Sequence, residues 1–475
     1  MVEQLQKVPT GIVGLDELTR GGLPAGRPTL VCGGPGCGKT LLATTFLVRG
    51  AIDHGEPGLL VSFDERIDDL GVNVASLGFD LPNLKERGLL ATDYVKIERQ
   101  EMHETGEYDL EALFIRLDHA VKSVGARRVV LDTIDTLFAG IPNEAVVRSE
   151  LRRMFDWLKD RKLTTVITAE RGEGSLTRNG IEEYVSDCVI LLDHRIIDDL
   201  STRRLRVVKY RGTLHGTNEY PFLIDAQGIT VVPITSIGLS HAASDETVSS
   251  GLPQLDAMLG GKGYFKGSSI LVSGGPGTGK TTIGAHFAEA TCRRGERCLY
   301  FSFEESPSQL VRNMRSAGID LQPCIDQDLL HYQASRPSVG GLEMHLALML
   351  KAVRDFRPAA VVVDPFSALV ASGAHYQAHS MALRFTDYLK SQAITALYLS
   401  LEDTGGATGL DVSSIMDTWI VLRNMRSDTD LSRRFHIVKA RGIAHSSEVR
   451  RMEITGRGIR LSDLPQTKAH AGQER

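Results

Sequence analysis

One pattern is written twice along this chain. Pro28-Thr-Leu-Val-Cys-Gly-Gly-Pro-Gly-Cys-Gly-Lys-Thr40 returns as Ser269-Ile-Leu-Val-Ser-Gly-Gly-Pro-Gly-Thr-Gly-Lys-Thr281, and Leu60-Val-Ser-Phe-Asp-Glu65 returns as Tyr300-Phe-Ser-Phe-Glu-Glu305. Arg128-Val-Val-Leu-Asp132 returns as Ala360-Val-Val-Val-Asp364, and Lys209-Tyr-Arg-Gly212 as Lys439-Ala-Arg-Gly442. The order is kept, at offsets of 241, 240, 232 and 230 residues. Solenoids repeat every ~20–50 residues, so this period means two homologous domains. We expect a first domain over 1–232, a polar, small-residue linker over 233–247, a second domain over 248–461 and a loose tail over 462–475.

Each copy alternates short apolar runs with amphipathic stretches. Thr29–Cys32, Leu59–Phe63, Val129–Leu131, Thr165–Thr168 and Val189–Leu192 read as buried strands. Leu110–Val124 and Val146–Leu158 have helical spacing. This predicts an α/β fold in each copy, a mainly parallel sheet flanked by helices.

Composition removes several classes. With 54 basic and 59 acidic residues the net charge is −5, so no whole-chain basic coat for nucleic acid exists. No run of about eighteen apolar residues occurs, and the first residues lack the apolar core of a signal peptide, so a cytoplasmic protein with no membrane contact is expected. The six scattered cysteines form no C-x-x-C pair and read as free thiols. His375 and His379, four apart, read as a surface pair rather than a metal site.

Gly33-Gly-Pro-Gly-Cys-Gly-Lys39-Thr40 and Gly274-Gly-Pro-Gly-Thr-Gly-Lys280-Thr281 both fit G-x-x-x-x-G-K-[ST] after an apolar strand. Their glycines let backbone N–H groups converge on phosphate oxygens, and the following helix points its N-terminus at the anion. The expected nucleotide contacts are Gly36, Cys37, Gly38, Lys39, Thr40 and Leu41 in the first copy. In the second they are Pro276, Gly277, Thr278, Gly279, Lys280, Thr281 and Thr282. ATP and Mg²⁺ are the implied ligands, with Thr40, Asp132, Thr281, Asp364 and Glu304 as candidate metal ligands. The adjacent acids Asp64-Glu65 and Glu304-Glu305 are the candidate catalytic bases. Lys209-x-Arg211 and Lys439-x-Arg441 come late in each copy, so they are candidates for completing a neighbour's pocket as arginine fingers do.

On these motifs, with Glu182-Glu-Tyr-Val-Ser-Asp187 and Lys209-x-Arg-Gly-Thr-x-His215, the chain resembles the KaiC family from about Val8 to Leu461. The resemblance implies two tandem RecA-like P-loop NTPase domains and a homohexamer of two stacked rings with ATP at every subunit interface. It implies nucleotide contacts from Lys209, Tyr210, Arg211, Thr213, His215 and Ser76, and in the second ring from Lys439, Ala440, Arg441, His445 and Arg433. It also implies autophosphorylation at Ser413 and Ser414, with Thr408 nearby. Asp64 stands where the family has glutamate, Ala317 where clock members have tryptophan, and the chain stops at Arg475 without their long tail. Dependence on KaiA is therefore not expected, whereas a KaiB-like or signalling partner is. The alternative reading is a RecA- or DnaB-like nucleic-acid motor, which needs a salt-dependent DNA affinity. A third is a scaffold that uses ATP only to assemble, against which the intact acidic pairs count.

Overall fold

The computed structural model describes residues 5–96, 110–139, 141, 143–172, 176–177, 180, 186–197, 200–226, 228–233, 243–371, 375–401, 411–426 and 431–464. The chain divides into two compact units, Met1–Ser236 and Ile237–Arg475.

In the first unit the strands are β1 (Lys7–Val8), β2 (Leu23–Pro24), β3 (Pro28–Gly33), β4 (Gly58–Ser62), β5 (Leu90–Tyr94), β6 (Arg128–Asp132), β7 (Thr164–Glu170), β8 (Cys188–Ile197), β9 (Leu200–Tyr210), β10 (Glu219–Asp225) and β11 (Gly228–Val231). β1 and β2 pair alone, and the other nine form one sheet in the order β11-β10-β9-β8-β3-β7-β6-β4-β5. β8, β3, β7, β6, β4 and β5 run parallel, and β9, β10 and β11 return as an antiparallel meander.

The second unit repeats this. Its strands are β12 (Thr247–Val248), β13 (Tyr264–Phe265), β14 (Ser269–Gly274), β15 (Cys298–Ser302), β16 (Leu330–Ala334), β17 (Ala360–Asp364), β18 (Thr395–Leu401), β19 (Thr418–Arg426), β20 (Leu431–Ala440), β21 (Arg450–Thr455) and β22 (Gly458–Ser462). The sheet order is β16-β15-β17-β18-β14-β19-β20-β21-β22, the mirror listing of the first.

The parallel strands read as unbroken apolar runs because both faces are covered. In β3, Val31 joins a core with Leu42 and Phe46 of the helix Lys39–His54, while Leu30 and Cys32 join a second core with Leu117, Leu151 and Phe155. Those last residues lie on the helices Glu111–Val124 and Glu144–Asp160, which cover the two amphipathic stretches read from the sequence. Among the described residues no helix is long and apolar enough to cross a membrane.

Candidate nucleotide sites at the strand ends

Parallel strands deliver their carboxyl ends to one edge of the sheet, where ligands of such folds gather. In the first unit Gly33 of β3 is level with Glu170 of β7, and Ser62 of β4 with Asp132 of β6. The phosphate loop leaves β3 at this edge. Gly36 and Gly38 carry φ of 68° and 103°, which a side chain would resist, and Gly38 is the residue from which the helix Lys39–His54 starts.

Lys39 is 8 % exposed and folds back on the loop: its Nζ donates to Gly33 O at 2.9 Å and Gly34 O at 3.0 Å, and lies 2.8 Å from Glu170 Oε1. Thr40 Oγ1 donates to Asp132 Oδ2 at 2.9 Å, and the Thr168 hydroxyl donates to Asp132 Oδ1. Burial pushes the Asp132 carboxyl up, against the pull of the Thr168 and Thr40 hydroxyls. A hydroxyl and a carboxylate converging beside a buried lysine is the donor set a phosphate-bound Mg²⁺ takes, so the residues fit that ion. Cys37 is buried and its thiol is pushed up by that burial, so its part in the loop is backbone and packing.

The acidic pair splits by role. Asp64 is exposed, whereas Glu65 turns inward and accepts from Asn73 Nδ2 at 2.6 Å. The Glu65 carboxyl is raised by burial first and then by Asp132. Ser62 ties the turn, its Oγ accepting from Glu65 N at 3.1 Å.

The second unit repeats the frame with two changes. Lys280 donates to Gly274 O at 2.7 Å and Gly275 O at 2.8 Å, but the residue level with Gly274 on β18 is Leu401 where the first unit has Glu170. Asp364 takes its hydroxyl partner from β15, Tyr300 donating to Oδ2 at 2.7 Å, in addition to Thr281. Burial raises Asp364 to about 6 despite both hydroxyls. Glu304 is exposed; Glu305 faces inward, held by Asn313 Nδ2 at 3.3 Å, with its Oε2 buried and without a hydrogen bond. The charge of Glu305 adds to the rise of Asp364. Thr278 Oγ1 donates to Gly275 O at 2.8 Å, Thr282 is buried in the helix, and Leu41 packs on the first core.

The Lys-x-Arg segments lie elsewhere. Lys209 is level with Val189, and Cys188 with Thr29 at the start of β3, four residues before Gly33. At about 3.3 Å per residue that is about 13 Å from the unit's own phosphate loop. β9 bulges at Val208 and β20 at Val438, in register with one another. Arg211 reaches Asp187 at 3.7 Å, which Lys159 also holds at 2.9 Å; Arg441 reaches Asp417 at 3.9 Å, held by Lys390 at 2.8 Å. The Arg211 and Arg441 side chains remain more than half exposed, at 54 % and 57 %. Tyr210 departs from the expected nucleotide contact in its side chain: it is buried and its hydroxyl donates to Gly22 O at 2.8 Å. Ala440 is buried, Thr213 Oγ1 accepts from Lys7 Nζ at 2.9 Å, and His215 and His445 bond neighbouring carbonyls.

Ser413 and Ser414 end a 3₁₀ turn, Asp411–Ser414, at this same far end. Their carbonyls accept from Lys439 Nζ and Arg441 Nη2. Asp417 does not push on that turn as a free charge. Burial would raise it, but Lys390 and the Ser269 N–H hold it low. Arg433 sits at the opposite end, its Nε donating to Gly277 O of its own loop at 3.1 Å. Ser76 is exposed at the end of the helix Ile67–Ala75. Thr408 and residues 182–185 lie outside the described residues.

Sequence reasoning missed Glu170, Thr168, Tyr300, the Asn73/Asn313 pair and the anchoring role of Asp187 and Asp417. The asparagines had a signal, since each stands eight residues after the inner acid in both copies. Tyr300 had none, because only the register puts its hydroxyl against Asp364.

Comparison with known proteins places this geometry. The sequence model described as "ATPase: KaiC" matches residues 8–236 and again 248–466. The circadian clock protein KaiC2 of Synechocystis is 53 % identical over 464 residues, 96 % of this chain and 81 % of that protein. The circadian clock oscillator protein KaiC of Synechococcus elongatus is 37 % identical over 97 % of this chain and 90 % of its own length. KaiC3 of Synechocystis is 36 % identical over 96 % and 92 %. Two matched domains and full-length relatives put the chain in the KaiC family of ATPases.

Proposed function

We propose that the protein is a homohexameric Mg-ATPase and Ser/Thr autokinase acting as a slow timing or signalling switch. The observation that carries this is the division of each site: the phosphate loop, the Thr–Asp pair and the acids at one end of the sheet, the Lys-x-Arg segment at the other. A ring of like subunits brings the two ends together, so nucleotide bound by one chain is completed by the next.

In each site the loop N–H groups and Lys39 or Lys280 hold the phosphates, the lysine leaving its carbonyl partners to do so. Thr40 with Asp132, and Thr281 with Asp364, would hold a Mg²⁺ ion, which would supply charge neutralisation at the phosphates. Glu65 or Glu305, already raised or left with a bare oxygen, takes the proton from the attacking water. The outer acids Asp64 and Glu304 face solvent, where a hydroxyl from the adjacent subunit can reach them. Arg211 and Arg441 of the adjacent subunit stabilise charge on the transferred group, a contribution of about 10³–10⁵ in rate for such fingers.

In the second ring the acceptor is water or the Ser413/Ser414 turn, because that turn sits on the same Lys439 and Arg441 that approach the neighbour's phosphates. A phosphate there adds about −1.5 to −2 charges beside two cations and alters the interface. KaiB-like or signalling proteins are the expected partners.

The test measures intact mass and phosphate release from one sample incubated with Mg-ATP, followed by peptide mapping. Phosphate within residues 408–418, removed by Ser413→Ala with Ser414→Ala, supports the autokinase reading; turnover with no mapped phosphate leaves an ATPase alone. Stimulation beyond about tenfold by single-stranded DNA would favour the motor reading instead.

A further inference from the structure

The two units share a register but differ in charge on one sheet face. In the second unit Arg423 of β19 lies directly opposite Arg434 of β20, and Arg434 directly opposite Arg451 of β21. Side chains alternate along a strand, so these three stand on the face opposite Leu422, Phe435 and Met452, which belong to the core under the phosphate-loop helix. Arg433, one residue away, points to the other side and to Gly277.

Like charges set directly across a sheet repel, at Cβ separations of about 4.5–5.5 Å. Arg451 pairs with Glu453 at 3.2 Å. Among the described residues neither Arg423 nor Arg434 has a carboxylate partner, and Arg434 Nη1 is buried without a hydrogen bond. The first unit solves the same position differently. There Asp193 stands opposite Arg204 and Arg204 opposite Pro221. Arg195 and Arg204 bond Glu219, and Arg195 also bonds Asp193, so the charges close on themselves. The second unit has kept the central arginine, replaced the acid by Arg423 and added Arg451.

Leu422 is level with Gly274, the first residue of the phosphate loop, so the row begins one residue beyond the mouth of the nucleotide site. We infer that Arg423, Arg434 and Arg451 form a binding site for a phosphate dianion, separate from the phosphate loop and peculiar to the second unit. A dianion with three acceptor oxygens fits adjacent guanidinium forks, satisfies Arg434 and cancels the repulsion along the row. The chemistry is shared by free orthophosphate, the product released nearby, and by a phosphorylated side chain of a second copy. The site itself does not depend on autophosphorylation.

The test uses the full chain saturated with Mg²⁺ and a non-hydrolysable ATP analogue, which fills both phosphate loops. Orthophosphate is then titrated by calorimetry and phosphorus NMR. Saturable binding of one phosphate per chain is expected, weakened at least about tenfold by Arg423→Asp and by Arg434→Gln. Arg423→Asp sets an acid opposite the central arginine as in the first unit, so its melting temperature should not fall; this separates lost binding from lost folding. Absence of saturable binding in the wild type, or undiminished affinity in both variants, overturns the site. Repeating the titration on protein first incubated with Mg-ATP distinguishes the sources. Lost orthophosphate binding assigns the row to a side-chain phosphate, and unchanged binding assigns it to free phosphate.

Discussion

Tyr300→Phe removes one oxygen from the second site and little else. The ring keeps its stack on Tyr332, at 5.2 Å between centroids, so packing is preserved. What is lost is a 2.7 Å donor to Asp364, whose carboxyl already sits at about 6 because of burial. A hydrogen bond to a charged group contributes about 1.5–3 kcal/mol, or about one to two pKa units. The change therefore raises Asp364 further and keeps its proton to higher pH. Mg²⁺ needs the ionised form, so proton and metal compete. For a rise of about 1.5 units the apparent Mg²⁺ affinity of the second site weakens about fourfold at pH 7, about sixteenfold at pH 6 and hardly at all at pH 9. The assay is the Mg²⁺ dependence of turnover at these three pH values, in a Lys39→Ala background that silences the first site. A defect equal at pH 6 and pH 9 would refute the electrostatic argument and leave a packing effect.

Glu305→Gln should cut phosphoryl transfer in the second unit by at least about 10², with fluorescent-nucleotide binding retained, whereas Glu304→Gln should cut transfer to Ser413 and Ser414 more than hydrolysis. Arg211→Ala should lower first-ring turnover by about 10³ or more while single chains still bind nucleotide, as read by phosphate release beside sedimentation. Acid should weaken the second unit through His286, whose Nε2 accepts from Ile459 N at 3.2 Å and which burial lowers to about 4. The neutral ring is intact above its unfolded value of about 6.5, and its contribution is lost as pH falls from there through about 4. His286→Gln, keeping an acceptor, should therefore flatten the fall of melting temperature between those values.

The fold was legible because duplication let each motif check the other. Buried parallel strands write themselves as apolar runs, and a glycine-rich turn after such a run has few other meanings. The site was legible where chemistry is local in sequence, as in Lys39-Thr40 and the adjacent acids. It was illegible where partners meet only through register. Thr168 and Tyr300 serve homologous aspartates from different strands, and nothing in their neighbourhoods announces it. The division of labour within Glu304-Glu305 was equally hidden, since only the turn tied by Ser302 decides which acid faces inward.

In the proposed ring, the separation of loop and finger to opposite ends of each sheet makes every chain the owner of two unmatched halves. A chain lacking Lys39 and a chain lacking Arg211 are each silent in the first ring when alone. Mixed in equal amounts before assembly, they form some interfaces in which an intact loop meets an intact finger. Random mixing makes these about one interface in four, so two dead proteins should recover about a quarter of first-ring activity on co-assembly and none when assembled apart.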